Sequence, residues 1–389
     1  MAAEGIVHAI FLIFTGAAVI ATVMLYARQA LPVAYIILGV LFGPWGLGLT
    51  TDPAVIRGMS EVGIIFLLFL LGMNLEPQEL RRLLREVTEV TIVTSVAFWL
   101  LGAAIAWAFG FGLLDVAVIG AAMMFSSTII GLKLLPTSAL HHQRMGEIII
   151  SILLLQDVIA IVVLLVLQGW GGGENPATDL VLSLAAAPLL VLFAFGFSKY
   201  VIMRLLHRFD QIQEYIFLLA IGWCLAMAVL GHEIGLSYEI GAFIAGVALA
   251  LNPVTRFIAA NLRPLRDFFL IMFFFALGAS FDITVLPEVI MPAIALAAAA
   301  LLIKPFVFDR ILEREHERPD LSRQIGVRLA QISEFSLLIA VAGMESGALT
   351  ESASYTIQAA TILTFIGSSY WIVMRYPTPV AVSDELRRD

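Results

Sequence analysis

Apolar residues along this chain come in runs of transmembrane length. Reading for stretches of roughly 17–25 apolar residues, enough for a helix to cross a ~30 Å hydrocarbon layer, thirteen spans stand out. They lie near 5–26, 32–48, 59–75, 88–110, 115–135, 146–168, 179–204, 212–231, 237–252, 264–281, 287–308, 322–345 and 353–375. The pattern predicts an all-α polytopic membrane protein with about 13 transmembrane helices. The segments between spans are short. Glu76–Val87 (EPQELRRLLREV) reads as an interfacial amphipathic helix, with Leu80, Leu83 and Leu84 on one side and arginines on the other. Arg310–Arg323 (RILEREHERPDLSR) is too charged to bury and reads as a solvated loop, and Gly169–Asp179 (GWGGGENPATD) as a flexible outer linker.

Polar positions interrupt the apolar pattern at a few places only. Ile148 to Leu167 reads IIISILLLQDVIAIVVLLVL, with Gln156 and Asp157 near its centre. A carboxylate at that depth costs roughly 2.5–3.5 kcal/mol on insertion scales, which marks a functional residue by default; an acid buried against a basic partner is the blander reading. Counting from the end at which each span enters (Asp115, Gly146 and Ser322), Ser126, Ser127 and Thr128 of span five, Asp157 of span six, and Ser333 and Glu334 of span twelve each fall ~17–20 Å deep. Single hydroxyls in membrane helices usually bond back to their own backbone; two polar clusters level with an acid are harder to dismiss.

Both clusters sit in corresponding places of the two halves. Ser126 lies 31 residues before Asp157, and Ser333 lies 31 before Thr364. Paired interruptions of this kind point to inverted repeats with two broken helices crossing at the midplane. Lys304 is a further intramembrane charge. It either snorkels to the inner interface or belongs to a structured site, with Pro305 introducing a local bend.

Composition agrees with the spans: 61% of residues are hydrophobic and 13% charged, against ~45–50% and ~25% in soluble domains. Lipid is the expected partner, and no feature calls for nucleic acid. The single cysteine, Cys224, excludes an internal disulfide or a zinc framework. The stretch Gly5–Tyr26 lacks the basic flank of a signal peptide and reads as a mature helix. Charge then orients the chain. With the N-terminus outside and the C-terminus cytoplasmic, basic residues from Arg28 to Arg388 gather on the inner side, and Arg57 alone lies in an outer loop. Acids including Asp52, Glu61, Asp115, Glu233 and Glu351 fall at the outer side. They are either what remains once basic residues are kept inside or a negative funnel that concentrates cations.

The chain is not expected to be an enzyme. His232-Glu233 and His316-Glu317 lie in loops without a second ligand at metalloprotease spacing. His141-His142 is a cytoplasmic pair without a third ligand, able at most to sense pH. A gated cation channel would align identical rings around an axis, where this chain has internal halves. A symporter of organic anions would want more basic lining than Lys304.

Seven segments together resemble one family. LGVLFGPWGLGL (38–49), SEVGIIFLLFLLGMNLEP (60–77), SSTIIGLKLL (126–135), LLLQDVIAI (153–161), GLSYEIGAFIAGVALA (235–250), FFALGASFD (274–282) and SEFSLLIA (333–340) are similar to the monovalent cation:proton antiporter-2 family. Within it, the Gln-Asp pair resembles the Kef-type potassium efflux branch. The resemblance implies an exchanger transmembrane domain over 1–376 with a short tail at 377–389, built as a core domain moving against a dimerisation scaffold, in a homodimer of the cytoplasmic (inner) membrane. It carries the family's ion-binding aspartate onto Asp157, the preceding position onto Gln156, its lysine onto Lys304 as charge compensation, and its crossover acid onto Glu334. This chain has SEFS where GEFAF is common, adding two hydroxyls. Kef-type proteins usually continue into a nucleotide-binding domain. No GxGxxG follows Arg375 here, so a separate cytoplasmic regulatory subunit is the expected source of any gating.

The chemistry implied needs no cofactor beyond the transported ions. A carboxylate in low dielectric prefers its neutral form unless a cation sits beside it, so H⁺ and K⁺ (or Na⁺) compete for one site. Asp157, Gln156, Thr128 and Ser126, with Ser127, Ser333 and Glu334 at the broken helices, are the expected ion-binding residues. With Lys304 remaining charged, exchange is expected to be electroneutral; a Lys304 that releases its own proton would make it electrogenic. A Na⁺/H⁺ antiporter of the same fold is the alternative.

Overall fold

The structure is a computed structural model. It describes the backbone of residues 2–27, 29–49, 53–74, 77–133, 144–171, 176–209, 212–250, 258 and 261–378, and the side chains of these except 2–7, 53–57, 59–60, 74, 77–86, 129, 132–133, 168–171, 176–185 and 263. In chain order the elements are α1 (Ala2–Tyr26), α2 (Leu31–Phe42), α3 (Pro53–Asn74), α4 (Pro77–Ala108), α5 (Leu113–Met124), α6 (Thr128–Lys133), α7 (Arg144–Gly171) and α8 (Pro176–Phe197). A π turn (Ser198–Ile202) leads into α9 (Met203–Arg208), followed by α10 (Gln213–Glu233), α11 (Tyr238–Leu249) and α12 (Arg263–Ser280). After a 3-10 turn come α13 (Leu286–Arg314), α14 (Pro319–Arg328), α15 (Glu334–Glu345) and α16 (Glu351–Arg375). Each expected span contains helix among the described residues. Among the described residues seven helices are long and apolar enough to cross a bilayer, accompanied by shorter apolar helices such as Leu113–Met124 and Tyr238–Leu249.

Four connecting segments differ from expectation. Span two stops at Phe42, because Pro44 cannot continue the ladder; Gly43–Gly48 then turn back, with Leu47 N–H bonding Leu41 O at 2.7 Å and Gly48 in the left-handed region at φ 64°. Residues 77–87 are no separate interfacial helix. They open α4, which runs unbroken for 32 residues, ~48 Å at 1.5 Å per residue, because no glycine or proline interrupts it before Gly102. The side chains of 77–86 that defined the amphipathic face lie outside the described residues. The presumed outer linker is mostly helix: α7 continues to Gly171 and α8 starts at Pro176, with 172–175 outside the described residues. Most of the segment 310–323 is exposed, apart from the buried Leu312 and Ser322, yet only 315–318 leave the helix, and His316 takes a left-handed conformation (φ 65°). Beside it Glu317 receives Arg144 at 3.0 Å.

The chain divides into two compact units. The first comprises Met1–Ile20, Tyr35–Arg81 and Gln168–Phe281. Its helices approach backbone to backbone through reciprocal glycines: a side chain on Gly39 would meet Phe275 O and Ala279 N, and one on Gly278 would meet Ile36 O. Gly72 and Gly246 do the same for α3 and α11, against Phe243 O and Phe69 O. Where lipid removes the hydrophobic drive between helices, such small residues supply van der Waals contact instead.

The second unit comprises Ala21–Ala34, Arg82–Leu167 and Asp282–Asp389. Its core packs Val90 and Phe98 of α4, Ile149, Ile152 and Leu153 of α7, Phe308 of α13 and Ile325 of α14. Gly326 lies directly against the backbone of Pro305, which draws α14 onto α13 beside Lys304. At the end of α14 the buried Arg328 donates to Pro377 O at 2.8 Å and lies over the Tyr376 ring at 5.8 Å, so the chain beyond α16 is tied to this unit.

Candidate functional site

Both interrupted spans belong to the second unit, and serine chemistry ends and restarts each. α5 stops at Met124, Phe125 is extended (φ −92°, ψ 149°), and Ser127 Oγ accepts from Ile130 N at 3.1 Å to start α6. α14 stops at Arg328, the chain unwinds over 329–333, and Ser333 Oγ accepts from Phe335 N at 3.1 Å to start α15. A serine hydroxyl that satisfies an orphan N–H favours a helix start over a helix interior. That is why the polar clusters read from the sequence mark breaks.

The two breaks are bonded to each other. Ser126 Oγ donates to Leu329 O at 2.8 Å, and the Gln331 amide donates to Ser127 O at 3.3 Å and Arg328 O at 2.9 Å. Ser336, the second hydroxyl of SEFS, donates to Ala122 O of α5 at 2.6 Å. Each unwound segment also hands one N–H to a side chain of the next long helix, α7 for the first and α16 for the second. Ser126 N–H reaches Gln156 Oε1 at 3.0 Å, and Ile332 N–H reaches Thr364 Oγ1 at 3.1 Å. The two halves therefore correspond through Gln156 and Thr364, one position away from the spacing through Asp157.

Lys304 neither snorkels nor meets a carboxylate. It is fully buried, and its Nζ donates to Phe125 O at 2.9 Å, Ser126 Oγ at 3.2 Å and Gln331 O at 3.2 Å, with the Phe98 ring 5.0 Å away. One ammonium thus takes acceptors from both breaks. Among the described residues no ion pair links it to Asp157 or Glu334. Its charge is offset by carbonyl dipoles.

Gln156 spends both ends of its amide on the first break, Oε1 on Ser126 N and Nε2 on Met124 O at 3.1 Å. The neighbouring Asp157 is 2% exposed, and its Oδ2 has no hydrogen-bond partner. Thr128, the first residue of α6, lies beside it without hydrogen-bond geometry, its Oγ1 also buried and unpartnered, and the Glu334 carboxyl acts on Asp157 electrostatically. Buried polar oxygens are nearly always satisfied in native proteins. A carboxylate and a hydroxyl left open side by side form a place where a proton or a small cation completes the shell.

Of the residues named from sequence, Ser126, Ser127 and Ser333 join and cap the breaks, Gln156 and Lys304 brace them, and Asp157, Thr128 and Glu334 gather on the open oxygens. Sequence reading noted Ser336 only as an added hydroxyl of SEFS and passed over Gln331 and Ser368, whose hydroxyl donates to Gln331 Oε1 at 3.0 Å. Gln331 carried a visible signal, a lone amide two residues ahead of Ser333 in an apolar run. Asp115 is no part of an outer funnel: it is buried and grips Thr350 N and Oγ1, each at 2.9 Å, at the start of α16. His232-Glu233 closes helix α10, where His232 stacks on Tyr238 with ring centres 4.1 Å apart. His141-His142 lies outside the described residues.

Comparison with known proteins bears on this geometry. The family model described as "Sodium/hydrogen exchanger, transmembrane" matches residues 10–375. The chain is 29% identical over 379 residues to the provisionally named K(+) efflux antiporter KefB of Alkalimonas amylolytica, covering 93% of this chain and 57% of that one. It is 27% identical over 354 residues to the iron transporter MagA of Paramagnetospirillum magneticum, covering 89% and 80%. It is also 29% identical over 310 residues to the glutathione-regulated potassium-efflux system protein KefC of Klebsiella pneumoniae, covering 78% and 50%. The chain thus spans about half the length of the Kef relatives. Among solved structures, the sodium proton antiporter MjNhaP1 from Methanocaldococcus jannaschii at pH 8 superposes with a TM-score of 0.73 at 16% identity, over 96% of this chain and 97% of that one. At that identity the likeness is one of fold.

Proposed function

The chain belongs to the sodium/hydrogen exchanger family of membrane transporters, and from that premise we propose that it exchanges a monovalent cation, K⁺ by preference, for H⁺ at one intramembrane site formed by Asp157 and Thr128. One observation carries the reading: Asp157 Oδ2 and Thr128 Oγ1 are buried oxygens outside strict hydrogen-bond geometry, in a neighbourhood where Gln156, Ser126, Gln331 and Lys304 are already bonded. A carboxylate in a low-dielectric site is held by either a proton or a metal ion, so the two compete. If the core changes sides only when that charge is neutralised, one ion is exchanged for the other. Glu334 would then bias the competition by its own charge, and carbonyls of the breaks would complete the coordination of a dehydrated cation.

Lys304 bears on stoichiometry. Its ammonium is held by Phe125 O, Gln331 O and Ser126 Oγ; exchange is electroneutral if Lys304 keeps its proton while Asp157 binds one, and electrogenic if Lys304 releases one. K⁺ is favoured over Na⁺ by the potassium efflux named for the Kef relatives. The working form proposed is a homodimer in the cytoplasmic membrane, N-terminus outside, an orientation supported by the gathering of basic residues on one side.

Proteoliposomes loaded with a pH dye and pulsed with K⁺, Na⁺, Rb⁺ or Li⁺ test the reading. Electroneutral exchange predicts cation-dependent pH change with no current, strongest for K⁺. A stronger response to Na⁺ would reassign the ion, and ohmic currents insensitive to a pH gradient would replace the exchanger with a channel.

A further inference from the structure

Among the described residues the side chain of Gln331 joins both breaks to α16, and both N–H groups and the oxygen of its amide are engaged. Its two N–H bonds go to Ser127 O (3.3 Å) and Arg328 O (2.9 Å), and its Oε1 receives Ser368 Oγ at 3.0 Å. The amide orientation follows from chemistry, since two carbonyls can only accept and so face the NH₂ end. Its own carbonyl receives Lys304 Nζ at 3.2 Å. The residue is fully buried.

The contact with Ser127 has a particular consequence. Ser127 O already accepts Gly131 N–H at 3.0 Å in the first turn of α6. With Gln331 as second donor, both lone pairs are occupied. The Ser127 carbonyl is withdrawn from any passing cation, and the peptide leading into Thr128 is locked in orientation. Thr128 is the residue whose open hydroxyl stands beside Asp157. A ligand oxygen held rigidly selects among ions by radius, whereas one free to shift accommodates several.

We infer that Gln331 is a positioning and ion-selectivity residue: by clamping the Ser127–Thr128 peptide to α16 through Ser368, it sets where the Thr128 hydroxyl stands relative to Asp157. This rests on the reading of Asp157 and Thr128 as the exchange site. Gln331 itself touches no transported ion. It acts through Thr128, and the position of α16 is felt at the site through the Ser368 bond.

The test compares the full chain with Gln331→Leu, Ser368→Ala and Thr361→Ala in proteoliposomes. Thr361 bonds only within its own helix, to Ile357 O, and serves as the control. Gln331→Leu should raise the half-saturating K⁺ concentration about tenfold and reduce the preference for K⁺ over Na⁺ while the maximal rate stays within about twofold. Ser368→Ala, which spares the amide, should move the same constants in the same direction by about threefold. Thr361→Ala should leave both unchanged. Hydrogen exchange across residues 126–131, measured on the same purified proteins, should quicken in Gln331→Leu and not in Thr361→Ala. Unaltered half-saturation and selectivity in Gln331→Leu, or a fall in maximal rate alone, would overturn the assignment. Absence of flux in the unmodified protein would overturn the exchange reading instead, and the exchange rates at 126–131 would still decide whether Gln331 holds that peptide.

Discussion

Lys304 Nζ lies 2.9 Å from the carbonyl oxygen of Phe125 and reaches Gln331 O at 3.2 Å, so one buried ammonium bridges the unwound segments of two helices far apart in sequence. Each break exposes carbonyls that an intact helix would have consumed. A cation between them offsets that negative potential and holds the breaks together.

Replacing Lys304 by Met should therefore lower stability by on the order of 3 kcal/mol, since several hydrogen bonds to one charged donor are lost together. Combined with Asp157→Asn, the two stability changes should add to within about 0.5 kcal/mol, because the side chains share no direct bond. Thermal melting of the two single mutants and the double mutant measures this; a coupling above about 1 kcal/mol would mean that the lysine does interact with the aspartate.

Asp157→Asn should abolish cation-dependent proton flux and leave melting unchanged or slightly raised. The substitution keeps the shape and removes a charge whose Oδ2 has no hydrogen-bond partner. Residual flux above that of empty liposomes would move the exchange site elsewhere.

Thr128→Val probes the hydroxyl alone. Its oxygen stands beside the Asp157 carboxyl without meeting strict hydrogen-bond geometry, so removing it should change stability by less than about 1 kcal/mol, while the half-saturating cation concentration rises about tenfold for the loss of a ligand. A parallel loss of stability and affinity would instead make Thr128 a packing residue.

Thr350→Val should do the reverse. The Asp115–Thr350 tie caps α16 with two bonds at 2.9 Å, and losing the hydroxyl of a helix cap costs about 1–2 kcal/mol. Cation affinity and selectivity in the remaining folded protein should be unchanged. Altered ion selectivity would show that this end of α16 communicates with the site.

The spans were legible because lipid leaves few alternatives to a continuous apolar helix, and the breaks because Ser126-Ser127 and Ser333-Glu334 are costly in such a setting without a task. Depth counting also brought Asp157, Thr128 and Glu334 to one place. It could not tell which oxygens stay open. Gln156 looks like a ligand on sequence, yet both ends of its amide are engaged by Ser126 and Met124. The surroundings of Lys304 were illegible for a related reason: two of its three acceptors are backbone carbonyls, which every residue carries and no motif records. Asp115 and Thr350 stand 235 positions apart, and each alone resembles an ordinary polar residue at a helix end. Gly169–Gly171 read as linker from composition, but glycine only weakens a helix by about 1 kcal/mol per residue, too little to stop α7 there.

The attachment of Arg328 to Pro377 and Tyr376 places the true edge of the folded membrane part beyond the last helix. Thr378, like Arg328, is fully buried. A shortened version ending at Arg375, the natural choice from a hydropathy plot, would delete an acceptor of a buried guanidinium that immediately precedes the second break. For the same reason an affinity tag or fluorescent fusion joined at 376 would pull on the residues that position the crossover. Expression designs should carry at least Thr378 and a spacer before any cargo, and transport measured on a shorter form would report on a loosened crossover.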